Sequence, residues 1–62
     1  MTDPSENRIR KLRHDLANPL SALLAEAQLM LMSPDGYDAE TLESLQQIEE
    51  LSRRMRDILQ EI

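Results

Sequence analysis

The stretch "SPDGYD", residues 33–38, separates two long segments of helical periodicity. Pro34, Asp35 and Gly36 favour a tight turn, and Asp38 can cap the helix that follows. The two flanking segments are similar in length. One turn between two such segments predicts an all-α fold, a helical hairpin whose helices span about 4–32 and about 39–61.

The segment before the turn carries a helix start signal and an apolar stripe. Asp3 can cap the helix, Pro4 suits its first position, and Glu6 lies three residues after Asp3, as in a capping box. Steps of three and four residues separate the members of the stripe, which predicts one apolar face. These members are Ile9, Leu12, Leu16, Leu20, Leu23, Ala27 and Met30.

The segment after the turn has an apolar stripe of the same period, with charged residues on its other side. Its apolar members are Leu42, Leu45, Ile48, Leu51, Met55, Ile58, Leu59 and Ile62, and its charged members are Glu43, Glu50, Arg53, Arg54 and Asp57. We therefore expect one domain over residues 1–62, with no repeat and no second domain.

Each apolar arc is wider than one neighbouring helix can cover. Leu20, Leu24 and Leu31 flank the first stripe at about 100° per residue, and we expect a lone hairpin to leave them in water. Two hairpins packed face to face would bury both arcs. The arcs therefore predict a homodimer that forms a four-helix bundle.

Composition narrows the possible functions. The chain has 62 residues, no cysteine and a single histidine, so disulfides are excluded and a multi-ligand zinc site is disfavoured. A formal charge of −5 disfavours nucleic acid as a partner, although Arg8, Arg10, Lys11 and Arg13 make the first helix locally positive. The start "MTDPSEN" is no signal peptide, and no apolar run approaches a membrane span. We expect a soluble cytoplasmic chain with protein partners and no membrane contact.

The stretch "LRHDLANPLSALL", residues 12–24, places unusual residues inside the first helix. His14 lies about 160–200° from Leu12 and Leu16, so its ring should face solvent. Pro19 has no N–H and leaves the carbonyl of Asp15 without its helical donor, which predicts a bend just past His14. Because the apolar register continues beyond Pro19, a kinked helix is favoured over two shorter helices.

The face of His14 continues along the helix with small or neutral groups. The residues within about 40° of His14 are Asn7, Arg10, Asn18, Ser21, Ala25 and Gln28, and Met32 ends this line. Leu29 and Met32 are apolar residues that the core arc does not explain. We expect Ser21, Ala25, Gln28, Leu29 and Met32 to form a docking surface for a partner protein.

The segment "HDLANPLSALL" resembles the H-box of the dimerisation and histidine-phosphotransfer (DHp, HisKA-type) domain of bacterial sensor histidine kinases. The family pattern is His, Glu or Asp, two residues, Thr or Asn, Pro and Leu. His14, Asp15, Asn18, Pro19 and Leu20 match it position by position. Two positions depart from the family: Arg13 replaces a small residue, and Arg8 replaces an aromatic one. The resemblance covers essentially the whole chain.

This resemblance implies roles for the motif. His14 would accept the γ-phosphoryl group of ATP and pass it to an aspartate of a response-regulator receiver domain. Asp15 would be the general base, since a carboxylate can take the imidazole proton or hold its tautomer. Asn18 would position water when the kinase dephosphorylates its regulator.

The sequence offers no nucleotide site of its own. It has no Gly-rich phosphate loop and no magnesium-binding cluster, so we expect no bound cofactor and no self-phosphorylation. ATP and magnesium would act only through a histidine-kinase ATP-binding domain. That domain would be in cis if this chain is a fragment and in trans if it stands alone.

Three alternatives remain open at this point. The chain could be a purely structural dimerising hairpin, which explains the stripes but not the spacing of His14, Asp15, Asn18 and Pro19. It could be a monomeric phosphotransfer domain, although such a domain needs four helices in one chain. It could also be a decoy that binds a response regulator without phosphorelay, a reading that shares the favoured fold.

Overall fold

The computed structural model describes residues 3–62; Met1 and Thr2 of the expected domain lie outside the described residues. Two helices, α1 (Pro4–Met32) and α2 (Ala39–Glu61), pack against each other as a helical hairpin. Residues 3–62 contain no strand, and together they measure 54 × 14 × 11 Å. The all-α hairpin predicted from the turn and the two stripes is confirmed.

Aspartate caps begin both helices, as the sequence predicts. An Asp3 carboxylate oxygen accepts a hydrogen bond from the Ser5 backbone N–H at 3.1 Å. Asp38 accepts one from the Thr41 backbone N–H at 2.7 Å. Hydrogen bonds from the Thr41 side chain, and then from its backbone, lower the pKa of the Asp38 carboxyl because they favour its charged form.

The turn between the helices is short and hydrogen-bonded. The Tyr37 N–H donates to the Pro34 carbonyl at 3.2 Å. Gly36 has a φ of 95°, a conformation that side-chain-bearing residues rarely adopt. This turn reverses the chain, so that α2 runs back along α1.

A seam of apolar and small residues joins the helices. Leu24, Ala27, Leu45 and Ser52 are buried there. The Ser52 hydroxyl donates to the Ile48 carbonyl one turn earlier at 2.7 Å, so this polar group is satisfied within its own helix. Partly buried residues extend the seam at steps of three, four or seven. They are Arg13, Ala17, Leu20 and Leu31 in α1, and Leu42, Glu49 and Leu59 in α2.

The structure buries the part of the first apolar arc that we expected to be exposed, and it exposes much of the part that we expected to be buried. Leu24 is 8% exposed and Leu20 and Leu31 are partly buried, so the expectation that a lone hairpin leaves these three leucines in water is wrong. Much of the predicted stripe is instead left uncovered, with Leu16 46% and Leu23 47% exposed, although its member Ala27 is buried in the seam. The reason is geometric, since α2 packs on the flank of the arc that carries Leu24 and not on its centre.

The uncovered parts of the two arcs lie side by side. They enclose an open apolar groove of about 420 Å³ between the helices. Its lining consists of Leu16, Pro19, Leu20, Leu23, Met55, Ile58 and Leu59. We call this groove, with the neighbouring exposed residues Ile9, Leu12, Ile48, Leu51 and Ile62, the open apolar face. As expected, a single hairpin cannot cover its own apolar surface.

Neither α1 nor α2 contains a run of residues long and apolar enough to span a membrane.

We predict that Leu24→Ala lowers the free energy of unfolding by about 2–5 kcal/mol, because it removes a buried side chain from the seam. Glu43→Ala, at an exposed position on α2, should change it by less than about 0.5 kcal/mol. Urea unfolding followed by circular dichroism measures both values. Similar losses at the two positions would show that the seam is misplaced.

Candidate functional site

Helix α1 continues through Pro19 without a break. All residues from Pro4 to Met32 are helical, so the alternative of two shorter helices is wrong. Pro19 still has no N–H to donate, which leaves the carbonyl of Asp15 without a helical partner. The expected bend at this point stays a prediction.

His14 lies on α1 away from both apolar surfaces. Its side chain is 72% exposed, which confirms the predicted solvent-facing ring. The seam residue Leu24 lies about 80° around the helix from His14, and Leu23 of the open apolar face lies about 180° from it. An incoming partner can therefore reach the imidazole without disturbing either surface.

Within residues 3–62, Asp15 is the residue that forms an ion pair with His14. The His14 Nδ1 and an Asp15 carboxylate oxygen are 3.7 Å apart. This distance is too long for a hydrogen bond, but it is short enough for a rotation of the exposed side chains to form one. The carboxylate lies on the Nδ1 side of the ring, so a bond there would leave Nε2 with its lone pair free.

Asn18 lies one helical turn after His14 on the same face and is exposed. Its side-chain amide can donate and accept hydrogen bonds, as a water-positioning group must. The water-positioning role of Asn18 and the general-base role of Asp15 stay predictions. The geometry does keep His14, Asp15 and Asn18 within one turn of each other.

The expected docking surface is exposed at all but one of its positions. Ser21, Ala25, Leu29 and Met32 are exposed, and Leu29 and Met32 are 60% and 77% exposed. Gln28 differs, because it is partly buried beside the seam. The surface extends from His14 toward the turn and presents two apolar anchors at that end.

Two basic residues near His14 received no role in the motif-based prediction. Arg10 and Lys11 precede His14 by four and three residues, so all three share one side of α1. Helical spacing alone places Arg10 on the face of His14, as expected from the sequence, and it places Lys11 beside that face. The described part of the chain contains no group of three or more His, Cys, Asp or Glu side chains that could hold a metal ion.

Comparison with known protein families gives one match. The model described as "His Kinase A (phospho-acceptor) domain" matches residues 6–62, a range that includes the turn, α2 and most of α1. No curated protein and no solved structure matches the chain significantly.

Because the His14 side chain is mostly exposed, we predict that His14→Gln changes the free energy of unfolding by less than about 0.5 kcal/mol and leaves the helix content unchanged. Circular dichroism during urea unfolding provides both quantities. Leu45→Ala is the matched seam control and should be clearly destabilised. A large loss for His14→Gln would mean that the ring packs against the fold.

Proposed function

Because the chain belongs to the His Kinase A (phospho-acceptor) domain family, we propose that His14 accepts the γ-phosphoryl group of ATP and passes it to an aspartate of a response-regulator receiver domain. Domains of this family are the phosphoacceptor and dimerisation modules of histidine kinases in two-component signalling. The observation that carries the proposal is the exposure of the chain's single histidine, beside Asp15 and inside the matched range.

The first transfer is a displacement at phosphorus. Nε2 of the neutral imidazole attacks the γ-phosphorus, an N–P bond forms, and the bond from that phosphorus to the β,γ-bridging oxygen breaks to release ADP. The proton on Nδ1 is lost as the ring becomes a neutral phosphoimidazole. Asp15 lies on the Nδ1 side and is the proposed general base for this proton.

The second transfer returns the imidazole to its starting state. A carboxylate oxygen of the receiver aspartate attacks phosphorus, the N–P bond breaks, and its electron pair returns to Nε2. Nδ1 regains a proton from the Asp15 carboxyl or from water, which restores the neutral imidazole. Ser21, Ala25, Gln28, Leu29 and Met32 are the proposed docking surface for the receiver domain. Small side chains at Ser21 and Ala25 would allow close approach, and Leu29 and Met32 would supply apolar contacts.

ATP and magnesium are proposed to act through a separate ATP-binding domain. Its approach requires an accessible imidazole, and the exposure of His14 meets that requirement. Use of ATP also implies that the domain works in the cytoplasm. A decoy that binds the receiver domain without phosphorelay would share the docking surface, and phosphate uptake separates the two functions.

We further propose that the open apolar face packs on the same face of a second copy to form a four-helix bundle. The face combines Leu16 and Leu23 of α1 with Met55 and Ile58 of α2, all of which are 46–58% exposed in one hairpin. Such a continuous apolar surface is typical of an interface between subunits. His14 would stay free, because it lies on the other side of α1.

We predict that the chain takes up phosphate on His14 when a histidine-kinase ATP-binding domain, ATP and magnesium are added. His14→Gln should abolish uptake, and Asp15→Asn should slow it by about 10²–10⁴-fold, the range typical of a lost general base. Uptake of labelled phosphate followed by acid and base treatment makes the measurement. The label should be lost in acid and kept in base, since a phosphoramidate is acid-labile.

Asn18→Ala is the internal control for this assay. It should keep phosphate uptake and instead slow the removal of phosphate from a receiver domain, because only that reaction needs positioned water. An acid-stable label that survives His14→Gln would contradict the assignment of the phosphoacceptor. Receiver binding without any phosphate uptake would favour the decoy.

We predict that sedimentation equilibrium over about 1–100 μM gives a dimer, and that the melting temperature rises with concentration because folding is linked to association. Leu23→Asp should shift the chain toward monomer by placing a charge on the open apolar face. Ala25→Asp is the matched control on the His14 side and should stay dimeric. A folded monomer throughout this range would rule out the bundle.

A further inference from the structure

Charge is strongly segregated along the hairpin. All seven basic residues lie within 8–13 and 53–56, and residues 15–52 contain no Lys or Arg. The acidic residues of that middle stretch are Asp15, Glu26, Asp35, Asp38, Glu40, Glu43, Glu49 and Glu50. The first basic cluster lies at the end away from the turn, whereas the second surrounds Met55, which lines a groove with Leu16 and Leu23 near the middle of α1. Within α1, all four basic residues precede His14.

Arg10 and Lys11 are the basic residues of this cluster that share the face of His14. At about 100° per residue they lie about 40° and 60° to either side of it. Residues three and four positions apart on a helix have Cβ atoms about 5–6 Å apart, within reach of long side chains. Arg8 lies about 120° away, and Arg13 is partly buried toward the seam.

Arg10 lines a groove with Glu6 and Ile62, but neither Arg10 nor Lys11 forms an ion pair within residues 3–62. The ion pairs within residues 3–62 are His14–Asp15, Arg53–Glu49 and Arg56–Asp57. Both Arg10 and Lys11 are exposed. Their charged ends are thus available to an anion that arrives at His14.

A phosphoryl group on His14 would need such cations. It would carry about two negative charges at neutral pH, as other phosphorylated side chains do, and it would lie beside the Asp15 carboxylate. On the C-terminal side of His14 the same face offers only the neutral Asn18, Ser21 and Ala25. Arg10 and Lys11 are therefore the groups of this helix that can offset the repulsion from Asp15.

We propose that Arg10 and Lys11 form a phosphate clamp that holds the phosphoryl group as it is transferred to His14. The clamp rests on the proposed function, since it requires His14 to be the phosphoacceptor. The Arg10 guanidinium can bind two phosphate oxygens, and the Lys11 ammonium adds a point charge. The pair acts from the N-terminal side of the imidazole, opposite to the proposed docking surface.

Potassium phosphoramidate tests the clamp without any ATP-binding domain. Nε2 attacks its phosphorus, the new N–P bond forms as the old one breaks, and the proton from Nδ1 leaves with ammonia as ammonium. The rate of phosphate uptake by the full chain is measured by ³¹P NMR. Arg10→Gln/Lys11→Gln should slow uptake by about 2–30-fold at low salt, the combined effect of two exposed charge pairs.

Two readouts separate the clamp from a structural effect. The charge-preserving variant Arg10→Lys/Lys11→Arg should retain most of the rate. The difference between wild type and Arg10→Gln/Lys11→Gln should shrink as ionic strength rises from about 0.01 M to about 1 M, because the screening length falls from about 30 Å to about 3 Å. A rate difference that is independent of salt would contradict the clamp.

Arg8→Gln/Arg54→Gln is the matched control. It removes the same charge from two exposed residues that do not lie on the face of His14 on α1, and it should keep the wild-type rate. Equal rates for wild type and Arg10→Gln/Lys11→Gln, or equal slowing in the control, would overturn the clamp alone. A wild-type chain that takes up no phosphate on His14 would instead overturn the proposed function, and the clamp with it.

Discussion

The seam between α1 and α2 fixes the roles of the other surfaces of the hairpin. Its centre has two small residues, Ala27 and Ser52, and two leucines, Leu24 and Leu45, and all four are buried. Ser52 can be buried there because its hydroxyl donates a hydrogen bond to the Ile48 carbonyl within its own helix and needs no partner on α1. The packing of these four residues fixes the rotation of α1 about its own axis. The helical period then places the stripe of Leu16 and Leu23 beside the seam, and His14 on the opposite side from that stripe.

Helix α1 consequently offers three separate faces. One packs on α2, one continues into the open apolar face, and one carries His14, Asp15 and Asn18 in water. Separation of this kind suits a phosphoacceptor, since the same helix must pack against other helices and leave one imidazole accessible to partner domains. Pro19 belongs to the open apolar face and also affects the face of His14. It lines the apolar groove, and its missing N–H leaves the carbonyl of Asp15 without a helical donor. The charge pattern adds a direction along the helix, with cations before His14 and acids after it.

Much of the fold was predictable from local signals. The caps at Asp3 and Asp38 and the turn at Gly36 depend on residues that are close together in the chain, so they can be predicted directly from the sequence. The division of the apolar arc was not predictable in this way, because periodicity shows how wide an arc is but not which flank α2 will cover. Burial of Ser52 was missed for a related reason: a polar residue in an amphipathic pattern is assigned to water. The exposure of His14 was predictable, since it lies opposite both Leu12 and Leu16.

In the proposed four-helix bundle, α1 keeps its seam, its open apolar face and its His14 face separate. Isotope-filtered NMR on a mixture of labelled and unlabelled chains measures contacts between copies directly. We expect such contacts at the methyl groups of Leu16, Leu23, Met55 and Ile58, and none at the His14 ring. Contacts between copies at His14, Ser21 or Ala25, with none at those methyl groups, would contradict this arrangement.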